Sequence, residues 1–153
     1  MSKQLTFYFI RHGRTQWNEQ GLLQGSGNSP LTEQGITGAQ KTGAALQQVE
    51  FTAAYSSILQ RAIDTAGHII GQRSIPLFQH CGLNEQSFGS WEGMQIADLR
   101  KLTEFKQLTN DPAAYKALSN GSETFEQLAV RAMAALYDIV KVHQSGANIL
   151  VVS

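Results

Sequence analysis

The segment Leu5 to Ile10 is a continuous apolar, aromatic-rich run that stops abruptly on Arg11-His12-Gly13. A run of this kind lacks the polar alternation of a half-solvated strand and suits a strand buried on both faces of a parallel sheet. Asn148 to Val152 has the same character, and Ala53 to Ser56 and Ile75 to His80 read as two shorter strands. Between them lie amphipathic segments. Gln60 to Gln72 carries Ala62, Ile63, Ala66, Ile69 and Ile70 at helical spacing. Thr32 reads as the N-cap of an earlier helix with Ile36, Ala39, Gly43 and Leu46 on one face, although its glycines lower helix propensity. Ile96 to Leu102 reads as helical and the stretch around Asp111-Pro112 as irregular. Phe125 to His143 reads as a long helix capped by Ser122, with the stripe Phe125, Leu128, Ala129, Ala132, Leu136, Ile139 and Val140. Strands separated by amphipathic helices predict an α/β fold, a mostly parallel sheet flanked by helices.

A chain of 153 residues with 42% hydrophobic content accommodates one domain, 1–153, with a real core. Twelve basic and twelve acidic residues balance, and no Lys/Arg run marks a nucleic-acid or membrane-surface partner. Any cationic site is therefore local. No stretch has the length of a membrane span, and the short apolar run at the N-terminus has no cleavage site after it, so no leader and a cytoplasmic location are expected. Cys81 is the one cysteine, which excludes an internal disulfide and a cysteine-based metal site. His68, His80 and His143 have no partners at metal-ligand spacing and read as helix or strand-end residues. No metal is expected.

Arg11 and His12 stand at the end of a strand, where both can reach one oxyanion. Arginine offers a planar fork of donors that matches a phosphoryl group, and histidine can act as nucleophile or proton carrier near neutral pH. Gly13 permits a sharp turn and close approach of a ligand. The following polar, glycine-rich stretch from Arg11 to Pro30 reads as a long loop, and long loops in compact domains are commonly functional.

Phe9-Ile10-Arg11-His12-Gly13-Arg14-Thr15-Gln16-Trp17-Asn18 resembles the signature of the histidine phosphatase superfamily, the phosphoglycerate mutase-like proteins. The resemblance continues through Ser29 to Gly35, Tyr55 to Ala66, Leu83 to Gly93 and Gly121-Ser122-Glu123, and so spans nearly the whole chain. It implies hydrolysis of phosphate monoesters, a reaction that needs clustered cations, an uncharged nucleophile and a proton donor. The resemblance gives His12 the role of phosphoryl acceptor. Arg11 and Arg61 would hold the phosphoryl oxygens; Arg61 opens a helix after a strand, at the carboxyl end of the sheet. Removal of the Arg61 side chain is expected to leave the fold nearly untouched. Glu85, in the loop after the third strand, would donate a proton to the leaving oxygen and then activate water. Glu92 is expected to fix the Trp91 loop instead. Thr15 and Asn18 are candidates for further substrate hydrogen bonds, and Ser122-Glu123 either approaches the phosphate pocket or simply caps a helix.

One family feature has no counterpart. The resemblance implies a second histidine just after the strand Asn148 to Val152, where the sequence stops at Ser153. The C-terminal part of the family fold is therefore expected to be missing, leaving an apolar strand at an open edge and a version extended through that histidine more active and more stable. The short interval between Glu85 and that strand resembles the small phosphatase branch. The leading expectation is a phosphatase of small phosphorylated metabolites; the alternatives are a phosphoglycerate mutase and an inactive phosphate-binding module. Its partners would be such a metabolite or inorganic phosphate, with no cofactor and a possible homodimer.

Overall fold

Strands β1 (Thr6–Ile10), β2 (Ala53–Ser56), β3 (Leu77–Gln79) and β4 (Asn148–Val152) form one wholly parallel sheet in the order β1-β4-β2-β3 in this computed structural model, which describes residues 2–153. Six helices connect or flank them: α1 (Gln16–Gln20), α2 (Glu33–Ala45), α3 (Gln60–Ile70), α4 (Ile96–Leu99), α5 (Thr103–Asn110) and α6 (Phe125–Val142). The α/β architecture expected from the alternation of runs is the one observed.

β4 organises the core because its side chains alternate between two apolar layers. Leu150 and Val152 join Ala39, Ala54, Ala62, Ala66 and Ile69 under α2 and α3. Ile149 and Val151 join Ala53, Tyr55, Ala135 and Ile139 under α6. A third cluster, Trp91, Leu99, Phe105, Leu108 and Tyr115, holds the region of α4 and α5 together beyond the carboxyl ends of the strands.

Two expectations about strands are corrected. β1 is not buried on both faces: it is an edge strand, and Phe9 is 60% exposed. β4 is not left at an open edge, since Leu150 lies opposite Tyr8 on one side and Ala54 on the other. Neighbouring strands in a mostly apolar sheet are not distinguishable by hydrophobicity alone, so the order was not legible.

Several helices also differ in detail. The loop from Arg11 to Pro30 contains α1, capped by Thr15 in a reciprocal box with Asn18 and closed by Gly21 in the left-handed conformation at φ 70°. The expected helix from Ile96 breaks after Leu99, and α5 follows before the irregular stretch at Asp111. α6 is capped by Thr124 rather than Ser122 and buries Ala135 and Ile139, while Phe125 is exposed. α2 forms as expected, with Thr32 accepting from the Gly35 amide. Its glycines serve close packing: a Cβ on Gly35 would lie 2.2 Å from the Arg14 carbonyl oxygen, and one on Gly43 would lie 2.4 Å from that of Ile69.

Candidate active site

In an open parallel sheet, ligands bind in the crevice beyond the carboxyl ends of the strands. Here those ends deliver Arg11 and His12 from β1, the turn to Arg61 from β2, and the loop of Glu85 from β3. Arg11, His12, Asn18, Arg61 and Glu85 line one cavity of about 200 Å3, closed by Leu22, Leu23, Phe88 and Ile96. Thus five of the six residues singled out in the sequence meet at one place. Thr15 does not line it. Its side chain is fully buried, caps α1 and bonds to Gln24 and Asn18.

His12 is held by its backbone and its ring. Its amide donates to the Ser153 carbonyl at 2.8 Å, and the Gly13 amide donates to Thr65 Oγ1 at 2.9 Å, tying the turn to β4 and α3. The ring Nδ1 lies 2.8 Å from the Gly13 carbonyl oxygen. A carbonyl only accepts, so this bond places the proton on Nδ1 and leaves Nε2 with a free lone pair. Burial lowers the His12 pKa below its ordinary 6.5, the Gly13 carbonyl opposes this, Arg61 and Arg11 lower it further, and Glu85 raises it. The balance favours the neutral ring.

Arg61 is 1% exposed. Its two terminal nitrogens donate to the Gly25 and Gly27 carbonyls, each at 2.6 Å, while its buried Nε has no partner among the described residues. An unpaired buried donor is costly unless a ligand accepts from it. This guanidinium therefore both pins the loop around Gly25 and offers a donor to an anion. The expectation that its removal would leave the fold nearly untouched is corrected on this geometry. Arg11 is exposed and makes no side-chain hydrogen bond among the described residues, so its fork is free to follow a ligand.

Glu85 accepts from the Gln86 amide on Oε1 at 2.9 Å, and its Oε2 makes no hydrogen bond among the described residues. Asn84 Oδ1 accepts from the Ile58 amide at 3.1 Å and links this loop to the turn that leads into α3. Glu92 holds the neighbouring loops as expected, accepting from the amides of Ser26 at 2.8 Å and Phe88 at 2.9 Å. Ser122 bonds to Tyr115, and Glu123 pairs with Arg131. Neither lines the cavity of His12. Sequence reasoning missed Arg131 and Gln24. Arg131 had one signal, an arginine on the inward side of α6, four residues before the buried Ala135.

His80 caps the turn at Gly82, and His143 Nε2 lies 2.8 Å from the Tyr55 hydroxyl. Among the described residues no group of three His, Cys, Asp or Glu side chains is arranged to hold a metal, and no helix is long and apolar enough to cross a membrane.

A sequence profile of the histidine phosphatase superfamily (branch 1) matches residues 7–153. The chain is 35% identical over 152 residues to the adenosylcobalamin/alpha-ribazole phosphatase of Escherichia coli, covering 97% of this chain and 73% of that protein. It is 29% identical over 147 residues to the 2,3-bisphosphoglycerate-dependent phosphoglycerate mutase of Cytophaga hutchinsonii, covering 94% of this chain and 69% of the mutase. The solved structure of Bacillus stearothermophilus YhfR superimposes with a TM-score of 0.92 at 36% identity, covering 98% of this chain and 74% of that one. In each case the similar protein is the longer of the two. Phosphatases and mutases stand side by side among these proteins. The chain belongs to the histidine phosphatase superfamily.

Proposed function

We propose that this protein hydrolyses phosphate monoesters of small metabolites through a phosphohistidine on His12. The observation that carries the reading is the Nδ1 bond to the Gly13 carbonyl, which leaves Nε2 unprotonated in a cavity shared with two arginines and a carboxyl. Nε2 attacks phosphorus, and the bond from phosphorus to the ester oxygen breaks as Glu85 protonates that oxygen. Water then attacks phosphorus, giving its proton to Glu85, and the nitrogen–phosphorus bond breaks to restore the ring and release phosphate. Arg11 and Arg61 hold the phosphoryl oxygens throughout, and Asn18 supplies an uncharged contact.

Phosphoglycerate mutases share the first step, and the cavity supports hydrolysis over transfer. Its cations, Arg11 and Arg61, belong to the phosphoryl end, and the wall of Leu22, Leu23, Gln24, Gly25, Phe88 and Ile96 carries no charge; the further cation Arg14 lines the adjoining cavity with Arg11, His12 and Asn18. The test is to supply 3-phosphoglycerate and an alkyl phosphate whose alkyl group carries no charge, and to follow inorganic phosphate and positional isomer. Phosphate release with no isomer is expected; isomer forming faster than phosphate would make the protein a mutase.

Two results follow from the roles assigned. Glu85→Gln should slow alkyl phosphates by roughly 10²-fold or more, within the range of a lost general acid, and p-nitrophenyl phosphate far less, because that leaving group departs without a proton. Equal losses for both esters would remove Glu85 from the role. The acid limb of kcat/KM should fall below pH 6.5, since the folded protein holds His12 neutral to lower pH than a free imidazole. Between that lowered value and 6.5 the unfolded chain binds the extra proton, so stability also declines as pH falls through this window. A limb at or above 6.5 would contradict the burial argument.

A further inference from the structure

We infer that Arg131, paired with Glu123, is a positioning residue for Glu85, an inference that rests on the general-acid reading of that carboxyl. All of the donors of this guanidinium are committed. Nε and Nη2 grip the two oxygens of Glu123 at 2.5 and 2.7 Å. Nη1 donates to the carbonyls of Gly82 at 3.0 Å and Asn84 at 2.8 Å, and Nη2 also donates to the carbonyl of Glu85 at 3.0 Å. Five N–H groups thus meet five acceptors, and none remains for a ligand. Three of those acceptors are backbone oxygens of the loop that ends at Glu85.

The pair is itself anchored to the following residues. The Gln86 side chain donates to the Glu123 carbonyl at 2.7 Å, and the Glu123 amide donates to the Ser87 carbonyl at 2.8 Å. Loop residues from 82 to 87 are therefore clamped from α6 and from the segment that precedes it. α6 packs along the sheet through Ala135 and Ile139, so the clamp refers the position of Glu85 to the same core that positions His12. A loop 3-10 turn alone, Cys81–Leu83, gives no such reference. Proton donation requires a separation within hydrogen-bond reach of the leaving oxygen, and small displacements of a catalytic group are costly. Lysine cannot replace this fork, having three donors on a flexible stem.

The test compares kcat/KM for p-nitrophenyl phosphate and for an alkyl phosphate in Glu85→Gln, Arg131→Met, Arg131→Lys, Glu123→Gln and the double variant Glu85→Gln/Arg131→Met. Arg131→Met should lose about 10²-fold on the alkyl ester and no more than about threefold on the aryl ester. Arg131→Lys should recover only part of the loss, and Glu123→Gln should show the same selectivity more weakly. The double variant should be no slower on the alkyl ester than Glu85→Gln, because Arg131 acts through Glu85. Equal losses on both esters in the Arg131 and Glu123 variants, or multiplied losses in the double variant, would overturn the inference. If Arg131→Met does not fold, Glu123→Gln and Arg131→Lys decide by the same ratio. A selective Glu85→Gln beside non-selective Arg131 variants refutes the positioning role alone, whereas a non-selective Glu85→Gln refutes the general-acid reading and this inference with it.

Discussion

Replacing His12 by alanine should reduce turnover of every phosphate ester by about 10⁴-fold or more, the scale of losing a nucleophile that acts as one unit with its partners. The loss should be the same for good and poor leaving groups, because no acid or cation substitutes for the bond that Nε2 is proposed to form. The buried His12 ring makes one hydrogen bond within the protein, to the Gly13 carbonyl, and lies outside the three apolar clusters of the core. Melting should change little, and in the acid window it should improve slightly, since the variant no longer carries a buried imidazole with a lowered pKa. Activity of His12→Ala within tenfold of the parent would place the chemistry elsewhere.

Arg61→Ala should show a different pattern, with activity and stability falling together. Loss of one preorganised donor at the developing charge costs roughly 10²- to 10³-fold. The buried carbonyl of Gly25 would also lose its partner, at about 1–3 kcal/mol for a group left unsatisfied, and the half-buried carbonyl of Gly27 would lose its own. A void remains where a large, fully buried side chain stood. Arg61→Lys is not a rescue, since a lysine cannot span both carbonyls and still offer a third donor. Steady-state kinetics and thermal unfolding of the same samples check both parts. Unchanged melting would mean that the loop around Gly25 does not depend on this guanidinium, and unchanged kinetics would remove it from the phosphoryl site.

Much of the site was legible because its parts are local. Arg11, His12 and Gly13 follow one another at a strand end, and Arg61 and Glu85, which the family resemblance singles out, each follow another strand, so a parallel sheet brings them to one crevice. What stayed hidden depends on long-range pairing. β1 and β4 are similarly apolar, yet one is an edge and the other central. Thr15 has the right chemistry for a ligand contact, but a reciprocal bond three residues away turns it into a cap. The glycines of α2 weaken a helix by propensity and are required by contact with Arg14 and Ile69. Arg131 sits 46 residues from Glu85 in sequence, and nothing short of the fold connects them.

The covalent intermediate is the most direct measure of the account. The protein, mixed with a phosphorus-labelled aryl phosphate and quenched in base within one turnover, should carry label that survives alkali, is lost in acid and maps to a peptide containing His12. His12→Ala should carry none, and Glu85→Gln, slowed in its second step, should carry at least as much as the parent. Label on another residue, or equal label with and without His12, would contradict the proposed chemistry.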